Sequence, residues 1–346
     1  MSINFNIKTF LREKKFITEK NFILIGHICE FRKVGDFKTF NFFDKSIVVY
    51  KFKEKLTAFS NICSHRGSKI FLENSGNSKF VCPYHSWTYD YTGKVKTIPF
   101  EKKAFKFKNR ERAKLKLEKW ELEYCGDFIF LKSKKNNTLL KKFLGKSFSK
   151  LSKISKKIDE KIDYQAYIWS ANWKICIENS IDEYHAIFLH KSTFKNNLDL
   201  KPKYDFAKNI MSMRMPLTKN YLKKFHNLKN YFQKLDKNYS HTFIFPISSI
   251  SNTMENSFYI QNYLPKSLDE TFVTSTIYLP KISNKMSNKT KEFFSESCNK
   301  FNKIVFLEDK QICENIYSNI KNRKFKDFVG NLEQRIKIFR KEIKKI

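Results

Sequence analysis

The sequence predicts an α+β protein of two units: an N-terminal all-β domain, then a C-terminal domain in which helices pack on an antiparallel sheet. Three observations predict it. Short apolar runs with turn residues between them fill residues 21–131, a stretch rich in Lys, Ser and Asn covers 132–164, and helix-like and strand-like segments alternate over 165–346. With 346 residues the chain is long enough for two domains of ordinary size.

Residues 1–20 alternate apolar positions with Lys, Glu and Arg and lack the apolar core of a signal peptide. They form an N-terminal segment expected to pack on the C-terminal domain. In the first domain FILIGHI, SIVVYKF, LTAFSNI and GDFIFLK read as strands. The connector over 132–164 shows only weak helical periodicity. After it, NWKICIENSIDEYHAIFLH reads as a helix, HTFIFPISSI, NSFYIQNYL and TFVTSTIYL as strands, and Ser287–Ile346 returns to helical spacing. Residues between His190 and Ser240 have no clear period and suit a cover over a pocket.

Charge and cysteine usage narrow the function. The net charge of +34, from 68 Lys+Arg against 34 Asp+Glu, would suit a nucleic-acid partner. The lysines are instead spread along the whole chain beside an excess of Asn, Ile and Phe (36 Phe), as A·T-rich codon usage produces, and no basic recognition helix accompanies them. Nucleic acid is therefore not an expected partner. Seven scattered cysteines do not make a disulfide framework, and no stretch approaches 18 uncharged apolar residues. We expect a soluble, cytoplasmic protein without a membrane partner.

Cys63-Ser-His65 and Cys82-Pro-Tyr-His85, sixteen residues apart, put one thiolate and one imidazole on each of two similar loops. A structural zinc also takes two Cys and two His, but usually as a Cys pair followed by a His pair. One Cys and one His per loop suits a 2Fe-2S cluster with both cysteines on one iron and both histidines on the other. Arg66, Gly67 and Pro83 shape the loops.

In the second half, Asp182, His185 and His190 fall within nine residues. A non-haem Fe(II) that activates O₂ takes two imidazoles and one carboxylate on one face. Residues five apart point roughly 140° from each other on a regular α-helix, so a shared metal requires a π-bulge or a helix end. Without a metal the same residues make a polar helix face. Asn179 and Glu178 are either supports of such a site or surface residues. His27, His226 and His241 have no ligand partner at metal spacing and read as structural, and Cys29, Cys125, Cys176, Cys298 and Cys313 read as buried small apolar residues.

The loops NICSHRGSKI and CPYHSWTYDYTGK closely resemble the Rieske domain of the Rieske non-haem iron oxygenases, apart from Ser86, where the family commonly has glycine. ENSIDEYHAIFLH looks like the family's catalytic helix, and VFLEDKQICE resembles its downstream acidic motif. The resemblance covers nearly the whole chain and extends to ring-hydroxylating α subunits and choline–carnitine monooxygenases. It implies a Rieske domain over 21–131 and a helix-grip (START-like) catalytic domain over 165–346. It implies Cys63, His65, Cys82 and His85 as 2Fe-2S ligands, and His185, His190 and Asp309 as ligands of a mononuclear Fe(II), with Glu308 as the reserve for Asp309. Asp182 becomes a bridge to the Rieske histidine of a neighbouring subunit.

The resemblance further implies a homotrimer fed by a reductase carrying flavin and using NAD(P)H, directly or through a ferredoxin. The chain would then use O₂ to hydroxylate or dealkylate a small organic substrate, either an aromatic compound or a quaternary amine. The alternative is a Rieske electron-transfer protein without a working mononuclear iron.

Overall fold

The computed structural model describes residues 5–226, 231–232, 235–283, 286–323 and 325–346. It opens with helix α1 (Ile7–Lys20), whose N-cap Asn6 accepts from the Thr9 amide at 2.8 Å. Phe10, Glu13 and Ile17 share the buried face of α1 at three- and four-residue spacing. An acid belongs there because Trp173 Nε1 and Lys174 Nζ donate to Glu13 at 2.9 and 2.6 Å. These bonds tie α1 to the second half of the chain.

The first half contains β1 (Ile23–His27), β2 (Asp36–Phe42), β3 (Lys45–Lys51), β4 (Leu56–Ser60), β5 (Ser75–Asn77), β6 (Thr88–Tyr89) and β7 (Val95–Thr97). Short helices α2 (Glu101–Ala104) and α3 (Asn109–Arg112) follow, then the hairpin β8 (Lys119–Cys125) and β9 (Phe128–Lys132). Seven strands pair in the order β1-β9-β8-β4-β3-β2-β5, and β6-β7 forms a separate ladder. The loops after β4 and before β6 carry the two Cys/His motifs.

Helices α4 (Leu140–Leu144) and α5 (Ser147–Ser155) lead to β10 (Ile158–Trp169). Part of the stretch expected to be connector, from Ile158 to Tyr164, is therefore strand. This strand lies at the edge of its sheet, and its alternation is masked by the charged run IDEKID.

After α6 (Trp173–Ser180) and α7 (Ala186–Leu189) come β11 (Lys203–Ala207), β12 (Ile210–Pro216), α8 (Lys219–Lys224), β13 (Asn238–Ile244), β14 (Ser248–Thr253), β15 (Ser257–Pro265) and β16 (Thr271–Pro280). The long α9 (Asn288–Ile320) and α10 (Gln334–Ile343) end the chain. The second sheet is antiparallel throughout, in the order β10-β16-β15-β14-β13-β12-β11. Phe294, Cys298, Asn302, Phe306, Cys313 and Tyr317 make one buried ridge along α9, mostly four residues apart.

Three features differ from the sequence reading. The predicted single helix over 172–190 is two helices with a break at 181–185. HTFIFPISSI divides into β13 and β14 around Pro246, which has no N–H for a ladder. The segment between His190 and Ser240, read as without period, supplies β11, β12 and α8, although its residues 227–230 and 233–234 lie outside the described residues. Among the described residues, no helix is long and apolar enough to cross a membrane.

The two sheets are joined by a common core. Ile25, Phe42, Trp120 and Leu131 of the first share a buried cluster with Trp173, Phe243 and Tyr263 of the second half. Beside it, Lys38 Nζ on β2 donates to Glu30 Oε2 at 2.8 Å and to Ile25 O at 3.1 Å. Tyr278 on β16 donates to Glu30 Oε1 at 2.5 Å. Burial lowers the Lys38 ammonium's pKa, whereas on Glu30 burial is outweighed by Lys38, which holds the carboxyl below its ordinary value.

Removing one partner of such a pair leaves the other charged and dry. Lys38→Met should cost roughly 3–5 kcal/mol, read as a lowered denaturant midpoint. The double variant Lys38→Met/Glu30→Gln should lose clearly less.

Candidate metal centres

The two Cys/His loops are built alike. In the first, Cys63 N donates to Ser68 O (2.8 Å) and Gly67 N to Cys63 O (3.0 Å); in the second, Cys82 N donates to Trp87 O and Ser86 N to Cys82 O, both 2.9 Å. Gly67 and Ser86 occupy equivalent corners with φ of 77° and 57°. Glycine takes that left-handed conformation freely, whereas a serine there is strained by its Cβ. Ser86 therefore keeps the loop geometry at a small cost.

The thiols of Cys63 and Cys82 are buried and in contact with each other, while His65 and His85 bring their Nδ1 atoms to 3.1 Å. His65 is half-buried, stacked on Trp87 at 4.6 Å between centroids, and His85 is exposed. Tyr89 OH lies 3.0 Å from Cys63 Sγ, accepts from Ser64 N at 3.0 Å and is 3.2 Å from Ser64 Oγ, so it is placed to donate to the sulfur.

At the second centre, α6 ends at Ser180 and the chain turns through 181–185 before the single turn α7. His185 stands just before that turn and His190 just after it. Their Nε2 atoms are 3.2 Å apart, and Asp309 Oδ1 on α9 lies 3.5 Å from His185 Nε2 and 3.2 Å from His190 Nε2. Among the described residues, this is the group of three or more His, Cys, Asp or Glu whose donor atoms all lie within 4.8 Å of one another.

The outer nitrogens meet acids as well. Glu308 Oε2 is 2.7 Å from His190 Nδ1, and Asp182 Oδ2 is 3.2 Å from His185 Nδ1, out of line for a hydrogen bond. Asp182 Oδ1 accepts from Tyr184 N at 2.7 Å. Burial would lower the His185 pKa, but Asp182 and Asp309 outweigh it and push it up to about 10. On Asp309 burial is outweighed by His185 and His190, which hold the carboxyl far below its usual range.

The family model of the ring hydroxylating alpha subunit (catalytic domain) matches residues 155–346, and that of the Rieske [2Fe-2S] domain matches 21–116. The chain belongs to the ring-hydroxylating α-subunit family. The α subunit of 2-aminobenzenesulfonate 2,3-dioxygenase from Alcaligenes sp. is 30% identical over 201 residues, 57% of this chain and 51% of that one. The oxygenase subunit of glycine betaine monooxygenase from Pseudomonas aeruginosa is 30% identical over 186 residues, 53% and 42% of the two chains. These matches span about half the length of the curated relatives, or less. A crystal structure of the quaternary ammonium Rieske monooxygenase CntA shares the fold, with a TM-score of 0.80, 19% identity and coverage of 97% of this chain and 91% of that one.

Both sites fit the groups that this α-subunit family holds. At the first site thiol pairs with thiol and imidazole with imidazole, the latter Nδ1 to Nδ1 at 3.1 Å. That pairing suits two irons, one taking both thiolates and the other both imidazoles. At the second site, Asp309 Oδ1 is buried without a hydrogen-bond partner and faces two imidazole Nε2 atoms. The acids around the histidines demand positive charge there, which a dication supplies.

Sequence reasoning named Asp309 with Glu308 in reserve; the structure brings Asp309 to the shared point and turns Glu308 to the far side of His190. It passed over Tyr89 and Arg335, and read His241 as structural. His241 is buried in the wall beside the second centre, 2.7 Å from Arg335 Nη1. His27 is buried against Ser155 O, and His226 is exposed. Of the five remaining cysteines, four are buried and Cys29 is half-buried.

His190→Ala should remove one iron per chain and leave the cluster's two irons and two sulfides, by metal and acid-labile sulfide assay. Glu308→Gln should keep that iron but weaken its affinity about 10–100-fold. A hydrogen bond from Tyr89 worth about 1 kcal/mol more to the reduced cluster is equivalent to about 40 mV. Tyr89→Phe should therefore lower the cluster's midpoint potential by about that amount, in a spectroelectrochemical titration.

Proposed function

We propose that the chain is the oxygenase component of a Rieske non-haem iron oxygenase. Electrons from a separate reductase would enter at Cys63, His65, Cys82 and His85, and O₂ would be activated at His185, His190 and Asp309 to hydroxylate or dealkylate a small aromatic compound or quaternary amine. The division into a Rieske unit (21–131) and a catalytic unit (165–346) belongs to the same proposal. The observation that carries it is the convergence of two Nε2 atoms and Asp309 Oδ1 on the wall of a cavity.

That cavity, about 80 Å³ counted as space open to the centres of water molecules, lies between α9 and the face of the second sheet. Tyr239, Tyr259, Tyr263, Phe194, Phe301 and Met213 line it and limit its water. A water needs about 10–15 Å³ by that measure, so the space suits a small molecule. When bound, the cluster supplies single electrons and the mononuclear iron binds and activates O₂.

The protein's part is placement. Glu308 orients the His190 ring through Nδ1, Asp182 sets a carboxylate beside His185 Nδ1, and Asp309 neutralises the charge between the two rings. Asp182 also opens to the outside: with Asn179 it lines both the cavity and a groove of about 470 Å³ on the surface. Exposed Phe325 and Phe328 flank that groove. The cluster's exposed His85 is accompanied by exposed Tyr84, and Leu72 nearby in the chain is also exposed. A neighbouring copy docking this tip in the groove would join the two centres through Asp182, as in the homotrimer that the resemblance implies.

Iron and acid-labile sulfide on anaerobically purified protein test the reading. Three irons and two sulfides per chain are expected, with O₂ uptake coupled to one of a panel of aromatic acids and quaternary amines. Two irons and two sulfides, unchanged after Fe(II) is added, would leave only an electron carrier. Asp182→Asn should keep the metals and lose most coupled O₂ uptake; full activity in that variant removes Asp182 from the route.

A further inference from the structure

Asp182 lies where the backbone has little to hold it. Helix α6 ends at Ser180, and the Asp182 amide makes only a 3.2 Å turn bond to Asn179 O. The segment is gripped instead from the C-terminal helix. On α10, Arg340 donates from Nε and Nη2 to the two carboxylate oxygens of Glu178, both at 2.6 Å, and also meets Asp327 at 2.5 Å. Five residues earlier, Arg335 pairs through Nη2 with Glu183 and reaches His241 Nδ1 at 2.7 Å. Glu183 Oε2 also accepts from Tyr204 OH at 3.0 Å.

The spacing matches on both sides. Glu178 and Glu183 are five apart and bracket Asp182; Arg335 and Arg340 are five apart and run in the opposite direction. Five residues turn a helix by about 140°, so the two arginines leave α10 on different sides. Arg335 and Glu183 line the iron cavity, Arg340 and Glu178 line the outer groove, and Asp182 lines both. All four side chains are at most 10% exposed.

We propose that α10 is a two-rung arginine clamp whose task is to hold Asp182 in the wall between cavity and groove, making Arg335 and Arg340 positioning residues for electron entry. This rests on the reading that Asp182 joins the two centres. A buried ion pair is a poor way to gain stability, since apolar residues of similar volume often do as well. Its advantage here is geometry: on the Arg340 rung a forked, bidentate contact to Glu178 fixes distance and angle together, while Arg335 holds Glu183 through Nη2 and is itself placed by His241.

The test uses holoenzyme reduced with dithionite and mixed with O₂, with and without the panel compounds, following the cluster's visible absorbance as it reoxidises. Enzyme depleted of its mononuclear iron gives the reference, so the iron-dependent phase measures electron flow into the site. Arg340→Gln should keep iron and sulfide content and slow that phase at least tenfold. Arg340→Lys, which keeps the charge but loses the fork, should fall between. Glu178→Gln provides a second route to the same rung if Arg340→Gln folds poorly.

Glu13→Gln is the control for plain destabilisation, because Glu13 grips the opposite end of α6 through Lys174. It should lower the thermal midpoint and leave the iron-dependent phase unchanged. A normal phase in Arg340→Gln and Glu178→Gln, with full metal content, overturns the clamp. Equal slowing in Glu13→Gln reduces it to general stability. An iron-dependent phase missing from the unaltered enzyme under every condition overturns the Asp182 route itself, and the clamp with it.

Discussion

Two histidines five residues apart stand about 140° from each other around a regular α-helix, yet here their Nε2 atoms are 3.2 Å apart. The chain must leave the helix between them and the residues before, and α6 stops at Ser180 for that reason. Most of the site is a consequence of this break. His185 and His190 flank one helical turn, so both rings swing to the same side. Asp182 and Glu183, freed from helical geometry, separate: Asp182 shares the wall with the outer groove, while Glu183 is fully buried against Arg335. A continuous helix would have put these four side chains around a cylinder.

The same break creates a demand for charge. A chain with twice as many bases as acids gathers Glu178, Asp182, Glu183, Glu308, Asp309 and Asp327 around one short segment. Each acid has a basic partner, and Glu178 and Asp327 share Arg340. Glu308 and Asp309 are adjacent on α9, and because adjacent helical residues diverge by about 100°, one addresses Nδ1 of His190 and the other Nε2. The arginines on α10 neutralise Glu178 and Glu183, leaving Asp182, Glu308 and Asp309 to the histidines. Net charge over the whole chain is blind to this arrangement, which is why +34 was a poor guide to function.

The matching shape of the two Cys/His loops was legible because it is local. Each loop holds its Cys and His within four residues, and the pairs of backbone bonds that shape it close inside the same loop. The strands of the first sheet and the ridge of α9 were legible for a similar reason, their burial repeating at a fixed period. The rest depends on contacts distant in sequence. β10 is an edge strand whose charged run hides its alternation. β11 and β12 were lost in a segment with no strong pattern, although Met211, Met213 and Met215 alternate on β12. Nothing near Arg335 in sequence announces a partner at Glu183, 152 residues away, and Tyr89 is one tyrosine among sixteen until the fold sets it on Cys63.

The way the sheets are joined bears on how electrons could travel. The common core, the α1 bonds to Trp173 and Lys174, and the Lys38–Glu30–Tyr278 link hold the first sheet rigidly on the second. Within one chain, neither His65 nor His85 lines the groove where Asp182 emerges. A core shared by both sheets does not let the cluster tip swing to that groove without exposing much of it, at about 25 cal/mol for every Å² of apolar surface. The rigidity that makes an intramolecular approach expensive makes an intermolecular one cheap, because a tip already fixed in shape loses little further freedom on docking. An exposed imidazole on a preformed loop and an acid in the wall of a fixed groove are the two halves such a contact needs, and each chain carries one of each.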